Sequence, residues 1–279
     1  MNKILVINKE ANMTSRDVVN IVSKYLNIKK IGHTGTLDPM AEGVLVLTIN
    51  KACKVASLIT SLKKEYIATV KLGFTTDTLD TTGTILQRKE ITTTNLEQVL
   101  KSYEKTYLQE VPNYSAVKVN GKKLYEYARN NEKVVLPQKE VTIYKIKLLE
   151  QSNDTFKFKC LVSKGTYVRS LIRDICNSLN TLGVMSALVR TKQGKFEIED
   201  SYTLADIKNN NYKFISIKDA IDIKNIVVED DVAFKISNGV KLVNSYNIKD
   251  LVLFLDKEDN ELAIYQVSEN NMLKAYIVF

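Results

Sequence analysis

The chain has 279 residues, 44% of them hydrophobic, which fits a globular protein made of one large domain and a small partner domain. Its formal net charge of +8 favours an acidic partner such as nucleic acid; because the two signs are interspersed, the positive field has to come from the folded surface and not from a polybasic tail. Three cysteines without a C-x-x-C pair and a lone histidine argue against a zinc site, and no apolar run reaches the length of a signal peptide or a membrane span, so a reduced, cytoplasmic setting is expected.

Ile4 to Ile7 read as a short apolar strand. Thr14 or Ser15 can then cap a helix in which Val18, Ile21, Val22, Tyr25 and Leu26 recur at helical spacing. The next segment, Gly32 to Gly43, carries three glycines and sets Asp38 beside Pro39. Glycine lets another backbone or a ligand come close, while the proline fixes its own φ and pushes Asp38 toward extended geometry. On residues alone this is either a turn whose aspartate caps a neighbour or a site loop holding a carboxylate at a defined angle.

Val44 to Ile49 and Tyr66 to Leu72 read as strands, so Asp38 and Tyr66 both fall near strand beginnings. A polar Thr/Asp/Gly loop follows, then helices over Asn95 to Tyr103 and Leu124 to Arg129. Val141 to Leu149 and Phe156 to Val162 form a hairpin around Ser152-Asn153-Asp154. A helix begins at Thr166, with Leu171, Ile172, Ile175 and Leu179 on its apolar stripe. Arg169 falls in its exposed first turn, where the helix dipole disfavours a cation, so a compensating anion is expected, with Asp38 as the candidate. Leu188 to Phe196 reads as an amphipathic strand, and residues 205–223, polar around Asn209-Asn210-Asn211, read as a connector. Beyond it, Ile226–Val228, Lys241–Val243, Leu251–Phe254, Leu262–Tyr265 and Leu273–Val278 are short strands at the spacing of a small β-barrel, with Ser237-Asn238-Gly239 as a turn. The expected division is therefore residues 1–223 and 224–279.

The string GHTGTLDPMAEGVL resembles the catalytic motif of the TruB family of tRNA pseudouridine synthases. Further matches follow in family order: Lys64-Glu65-Tyr66, Gly73 to Asp80, Pro112 to Arg129, and Ser163 to Ser170 around Arg169. Glu10 and Asn12 depart from the pattern, standing where the family usually has Pro and Gly. The resemblance implies an α+β fold, a pseudouridine-synthase-like mixed sheet flanked by helices, with a C-terminal PUA-like β-barrel that binds RNA. It also implies isomerisation of uridine to pseudouridine at the position conventionally numbered 55 in the tRNA T-loop. No cofactor and no metal are implied. The partner is the T-stem-loop of tRNA, with no membrane and no obligatory protein partner, and the chain is expected to be a monomer.

Carried over residue by residue, the resemblance makes Asp38, Tyr66 and Arg169 catalytic. An ionised carboxylate beneath a base needs an adjacent arginine to hold its charge, and a tyrosine can stack on the base or pass a proton. His33 would fill the gap left by a flipped base, a packing role, and Tyr167 would contact the RNA. By their charge, Lys9, Lys64, Lys118, Lys122 and Lys164 are candidate phosphate contacts. Three alternatives stay open at this level: a guide-RNA-dependent synthase with partner proteins, a non-catalytic tRNA-binding module, and a glycosidase built on Asp77 and Asp80.

Overall fold

The computed structural model describes residues 2–279. The chain opens with β1 (Lys3–Lys9), α1 (Ser15–Leu26), β2 (Ile31–His33) and β3 (Glu42–Ile49), followed by α2 (Ala56–Thr60) and β4 (Lys64–Leu72). A small hairpin, β5 (Phe74–Thr76) and β6 (Ile85–Arg88), precedes α3 (Leu96–Ser102) and β7 (Thr106–Glu110). Two short strands, β8 (Lys118–Val119) and β9 (Lys122–Lys123), lead into α4 (Leu124–Arg129). The long hairpin β10 (Gln138–Gln151) and β11 (Thr155–Val162) is followed by α5 (Val168–Ser178), β12 (Gly183–Gln193) and β13 (Phe196–Glu197).

Among the described residues these strands build one ten-stranded mixed sheet whose main path runs β14-β1-β3-β12-β4-β11-β10-β7, with β14 (Ile215–Ser216) at its edge. The pair β3 and β12 is parallel, and its antiparallel neighbours bring the N-terminal loop, β4 and β12 together at the centre. Local sequence explains why α1 starts where it does. Thr14 Oγ1 accepts from Asp17 N while the Asp17 carboxylate accepts from Thr14 N, a reciprocal cap, and Asn27 ends the helix at φ 52°, a left-handed position that asparagine tolerates. Val18, Val19 and Val22 are buried against the sheet, whereas Tyr25 is exposed.

The region expected to be a connector is folded. It holds α6 (Leu204–Lys208), β14 and α7 (Ile217–Ala220), with Thr203 capping α6 and Ser216 capping α7, and β14 pairs with β1. Its short apolar groups, Ile207, Ile217 and Ala220, pack one at a time into clusters built by distant strands, so no periodicity marks them.

The C-terminal strands β15 (Lys224–Val227), β16 (Leu242–Val243), β17 (Leu251–Leu255), β18 (Glu261–Ser268) and β19 (Met272–Val278) form a separate sheet in the order β15-β17-β18-β19-β16, an open path rather than a closed barrel. Ser237 ends a helix, α8 (Asp230–Ser237), and the expected turn is confined to Asn238-Gly239, with Gly239 at φ 70°. Strand β17 is apolar throughout because both its faces are covered: Val252 and Phe254 pack with Ile236 of α8, and Leu251, Leu253 and Leu255 pack with Ile4, Val6, Val44 and Val46 of the large sheet.

The second contact makes the small sheet part of the main core. A chain ending at Ile223 would uncover that face, at about 1.5–3 kcal/mol for each lost apolar partner against a total stability of about 5–15 kcal/mol. We expect such a chain to melt well below the full protein and to bind a hydrophobic dye; an unchanged melting temperature would show the module to be dispensable for folding. No helix among the described residues is long and apolar enough to cross a membrane. Burial pushes the thiols of Cys160 and Cys176 up to about 12, which leaves them as inert packing groups.

Candidate active site

Asp38 sits in the loop between β2 and β3, and four contacts fix it. Its own carbonyl accepts from Ala41 N at 3.0 Å, closing a β-turn with Pro39 at the second position. On one side Leu37 N donates to the buried Ser15 Oγ at 2.9 Å. On the other, the Lys9 ammonium donates to Pro39 O at 3.1 Å. Gly43 ends the loop at φ 98° directly against β12, where a Cβ would lie 2.3 Å from Arg190 O, so no other residue fits there. The fourth contact is the carboxylate itself.

Arg169 Nε lies 2.9 Å from Asp38 Oδ2 and Arg169 Nη2 lies 3.0 Å from Oδ1, a two-pronged ion pair. The same guanidinium donates to Thr78 O at 2.9 Å and to Tyr114 O at 3.1 Å, and Asp80 Oδ2 stands 3.9 Å away. Arg169 was expected to be exposed in its helical turn; it is buried, 6% accessible, because the 74–84 loop and the 112–115 segment close over it. The compensating anion expected from the helix dipole is present as Asp38.

A cavity of about 370 Å3 opens beside this pair. Asp38, Arg169, Tyr66, Tyr167, Lys64 and Lys164 all line it, together with Leu188, Tyr114, Tyr125 and Arg190. Tyr66 is buried on β4, and its hydroxyl makes no hydrogen bond to the protein among the described residues. Tyr167 precedes α5, and burial raises its hydroxyl above the ordinary tyrosine range. Lys164 is exposed at the cavity's edge, whereas Lys64 is buried, with Nζ donating to Thr60 O at 2.7 Å and Leu62 O at 2.8 Å.

Two predicted site residues lie outside the cavity. His33 ends β2, half-buried, with Nδ1 lacking a partner. Burial, then the nearby Arg16 and Arg190, push its pKa below the usual imidazole value, so it is neutral at pH 7. Lys9 is fully buried, and its ammonium is spent on Glu10 O (2.8 Å), Met13 O (2.7 Å) and Pro39 O (3.1 Å). It is therefore a staple between the residue 10–13 turn and the Asp38 loop, and not an RNA contact as expected. Asn12 in that turn adopts φ 65°, the left-handed conformation that glycine would supply, so its replacement of the usual Gly keeps the turn.

Lys9→Met would leave three carbonyls without their donor, a loss of about 2–4 kcal/mol measurable by urea unfolding. Burial lowers the Lys9 pKa to about 8 from an unfolded value of 10.5. Between those values the unfolded chain binds more protons than the folded one, so this lysine makes stability rise with pH through that window; the variant should flatten the slope.

Asp77 and Asp80, the alternative carboxylate pair, are not among the cavity-lining residues. Asp77 accepts from Thr84 N (2.7 Å) and Tyr114 Oη (3.1 Å), while Asp80 Oδ1 accepts from Thr78 Oγ1, Thr82 N and Thr82 Oγ1. They shape the loop that covers Arg169, which removes the glycosidase reading. Arg190 and Gln193 on β12 carry more of the site than sequence reasoning assigned. Arg190 donates to Val44 O (2.6 Å) and Gly35 O (3.0 Å), and buried Gln193 Nε2 donates to Thr34 O, Thr34 Oγ1 and Ile59 O. The sequence signal was only that both lie in the segment read as an amphipathic strand.

Comparison with known proteins bears on this geometry. A model described as "TruB family pseudouridylate synthase (N terminal domain)" matches residues 23–168. The chain is 40% identical over 280 residues to a protein of Mycoplasma mycoides subsp. mycoides named tRNA pseudouridine synthase B, covering 97% of this chain and 94% of that one. The protein of the same name from Caldanaerobacter subterraneus subsp. tengcongensis is 41% identical over 90% of each chain. Among solved structures, an H/ACA RNP bound to a substrate RNA containing 2'-deoxyuridine aligns with TM-score 0.74 at 24% identity, over 99% of this chain and 84% of that one. A Cbf5-Nop10-Gar1 complex aligns with the same TM-score at 23% identity, again over 99% and 84%.

Proposed function

The chain belongs to the TruB family of pseudouridylate synthases, with that family's mixed sheet and a curled PUA-like C-terminal sheet, and from this premise we propose that it isomerises uridine to pseudouridine at position 55 in the T-loop of tRNA. The observation that carries the proposal is the two-pronged Asp38–Arg169 pair beside Tyr66 in one cavity. The isomerisation breaks the bond from ribose C1′ to N1 and forms one from C1′ to C5; a proton leaves C5 and another is taken up at N1, so no atom is supplied from outside. A carboxylate serves either route to the detached base, by attack on C6 or by assisting at C1′, and the two-pronged Arg169 contact aims Asp38.

The target base has to leave its stack to reach Asp38. His33, neutral and beside the loop, fills the vacated space by packing, and the base lies between Tyr66 and Leu188. Lys164 at the edge and Tyr167 within the cavity meet the RNA, residues 1–223 carry the chemistry, and residues 224–279 add RNA affinity. The enzyme acts as a monomer without a guide RNA or protein partner. Support for that choice over the guide-dependent reading is the 40% identity to a relative named tRNA pseudouridine synthase B, against 24% to a chain from a ribonucleoprotein.

Tyr66→Phe keeps the ring and gives up no protein hydrogen bond, so stability and RNA affinity should hold while turnover falls about 100-fold, the worth of a proton-transfer group. Full turnover would restrict Tyr66 to stacking. The function itself is tested by mapping pseudouridine in unmodified tRNA transcripts treated with the purified protein. Product is expected at uridine 55 alone and absent from a transcript carrying cytidine at that position; product elsewhere, or none, refutes the assignment.

A further inference from the structure

Arg190 and Lys64 line the same cavity as Asp38 and are 1% and 6% accessible. Arg169 shares the cavity and has a carboxylate; among the described residues neither Arg190 nor Lys64 has one within ion-pair distance. Arg190 uses Nε on Val44 O and Nη2 on Gly35 O, and Nη1 has no partner. Lys64 uses two of its three N–H groups on Thr60 O and Leu62 O. The two side chains converge at Gly35, where the position of a Cβ would lie 3.5 Å from Arg190 Nη1 and 3.8 Å from Lys64 Cε. Gln193 Oε1, 3.9 Å from the same point, is a neutral acceptor and leaves the wall positive.

Backbone carbonyls solvate two buried cations but do not neutralise them, and such an arrangement is costly unless an anion completes it. Burial first, then the charges of Arg190 and Lys164, press the Lys64 pKa down to about 8, so every charge named as acting on it is positive. Asp38 cannot serve as the missing anion because both its oxygens already face Arg169. With exposed Lys164 at the edge, the wall runs from solvent inward as a track of three cations.

We propose that Arg190 and Lys64 form a subsite for one backbone phosphodiester of the RNA strand whose uridine enters the Asp38 cavity. This rests on the RNA-isomerase reading above. The unpartnered Nη1 donor and the third ammonium N–H are the two donors that the non-bridging oxygens of a phosphodiester require, and both side chains line the cavity of about 370 Å3 that would admit it.

The test uses a T-stem-loop hairpin with a neutral methylphosphonate in place of the phosphodiester either 5′ or 3′ to the target uridine. Affinities are measured for the wild type, Arg190→Gln and Lys64→Gln. The wild type should lose about 10- to 100-fold in affinity when one of the two linkages is neutralised, the worth of a charged hydrogen bond. In Arg190→Gln the same neutralisation should cost at least about threefold less than in the wild type, because one of the phosphate's two cations is already gone. Lys64→Gln provides the same coupling measurement if Arg190→Gln fails to fold.

A purely structural role would weaken binding of charged and neutral RNA alike. Equal sensitivity of variant and wild type to the neutral linkage, or insensitivity of the wild type to both linkages, overturns the subsite. Isomerisation of the unmodified hairpin is recorded alongside. Its absence in the wild type would overturn the function, whereas isomerisation without coupling overturns the subsite alone.

Discussion

Asp38→Asn is expected to abolish pseudouridine formation, by about 10,000-fold or more, while RNA affinity stays within about threefold. Removing a nucleophile or its charge from a working site costs this much because the remaining contacts bind substrate without lowering the barrier. The substitution is nearly isosteric and the loop is held by Ser15, Lys9 and the Ala41 turn, none of which touches the carboxylate. An amide keeps one oxygen for the arginine fork but sets its NH2 against the other donor, and it carries no charge to attack or stabilise a sugar. Single-turnover conversion of T-loop RNA is the measurement. Conversion within tenfold of the wild type would remove Asp38 from the chemistry.

Arg169→Lys should cost turnover about 100- to 1,000-fold, the range for losing one preorganised charge-stabilising donor group. Lysine keeps the charge but has a single point donor, whereas the guanidinium spans both Asp38 oxygens, Thr78 O and Tyr114 O at once. Asp38 would then lose its aim, and two carbonyls would lose their donor. A stability loss of about 1–3 kcal/mol accompanies this, lower than for a fully buried pair because the Asp38 side chain is 33% accessible. Turnover at saturating RNA separates the two effects. The double variant with Asp38→Asn should lose little beyond Asp38→Asn alone, since the arginine acts through the carboxylate; additive losses would mean that Arg169 acts independently.

The large strands, α1 with its Thr14 cap, α4 and the Asp38 loop were legible because each is specified locally, by alternation, by a cap, or by Gly and Pro spacing. Pairing of Arg169 with Asp38 was legible too, through the dipole argument and the family string. Other features were not. The role of Lys9 depends on where the carbonyls of Met13 and Pro39 end up, and nothing in a lysine code distinguishes a buried staple from a phosphate contact. Strand β7 is short and polar, and α8 packs chiefly through Ile236, so neither has a periodic signature. The covering of β17 on both faces shows in its unbroken LVLFL run, yet the run alone does not say that the second face meets the large sheet. Arg190 lay within the segment read as an amphipathic strand, but its lack of a carboxylate partner is a three-dimensional fact.

On the proposed function, this chain alone brings a flipped T-loop uridine to Asp38. The most direct test is incubation of the purified protein, in molar excess and with no guide RNA or second protein, with a T-stem-loop hairpin, followed by base-resolved mapping of pseudouridine. Complete conversion of uridine 55 by the wild type, and none by Asp38→Asn, is expected. No conversion of the hairpin, or conversion only after a guide RNA or partner protein is added, would contradict it.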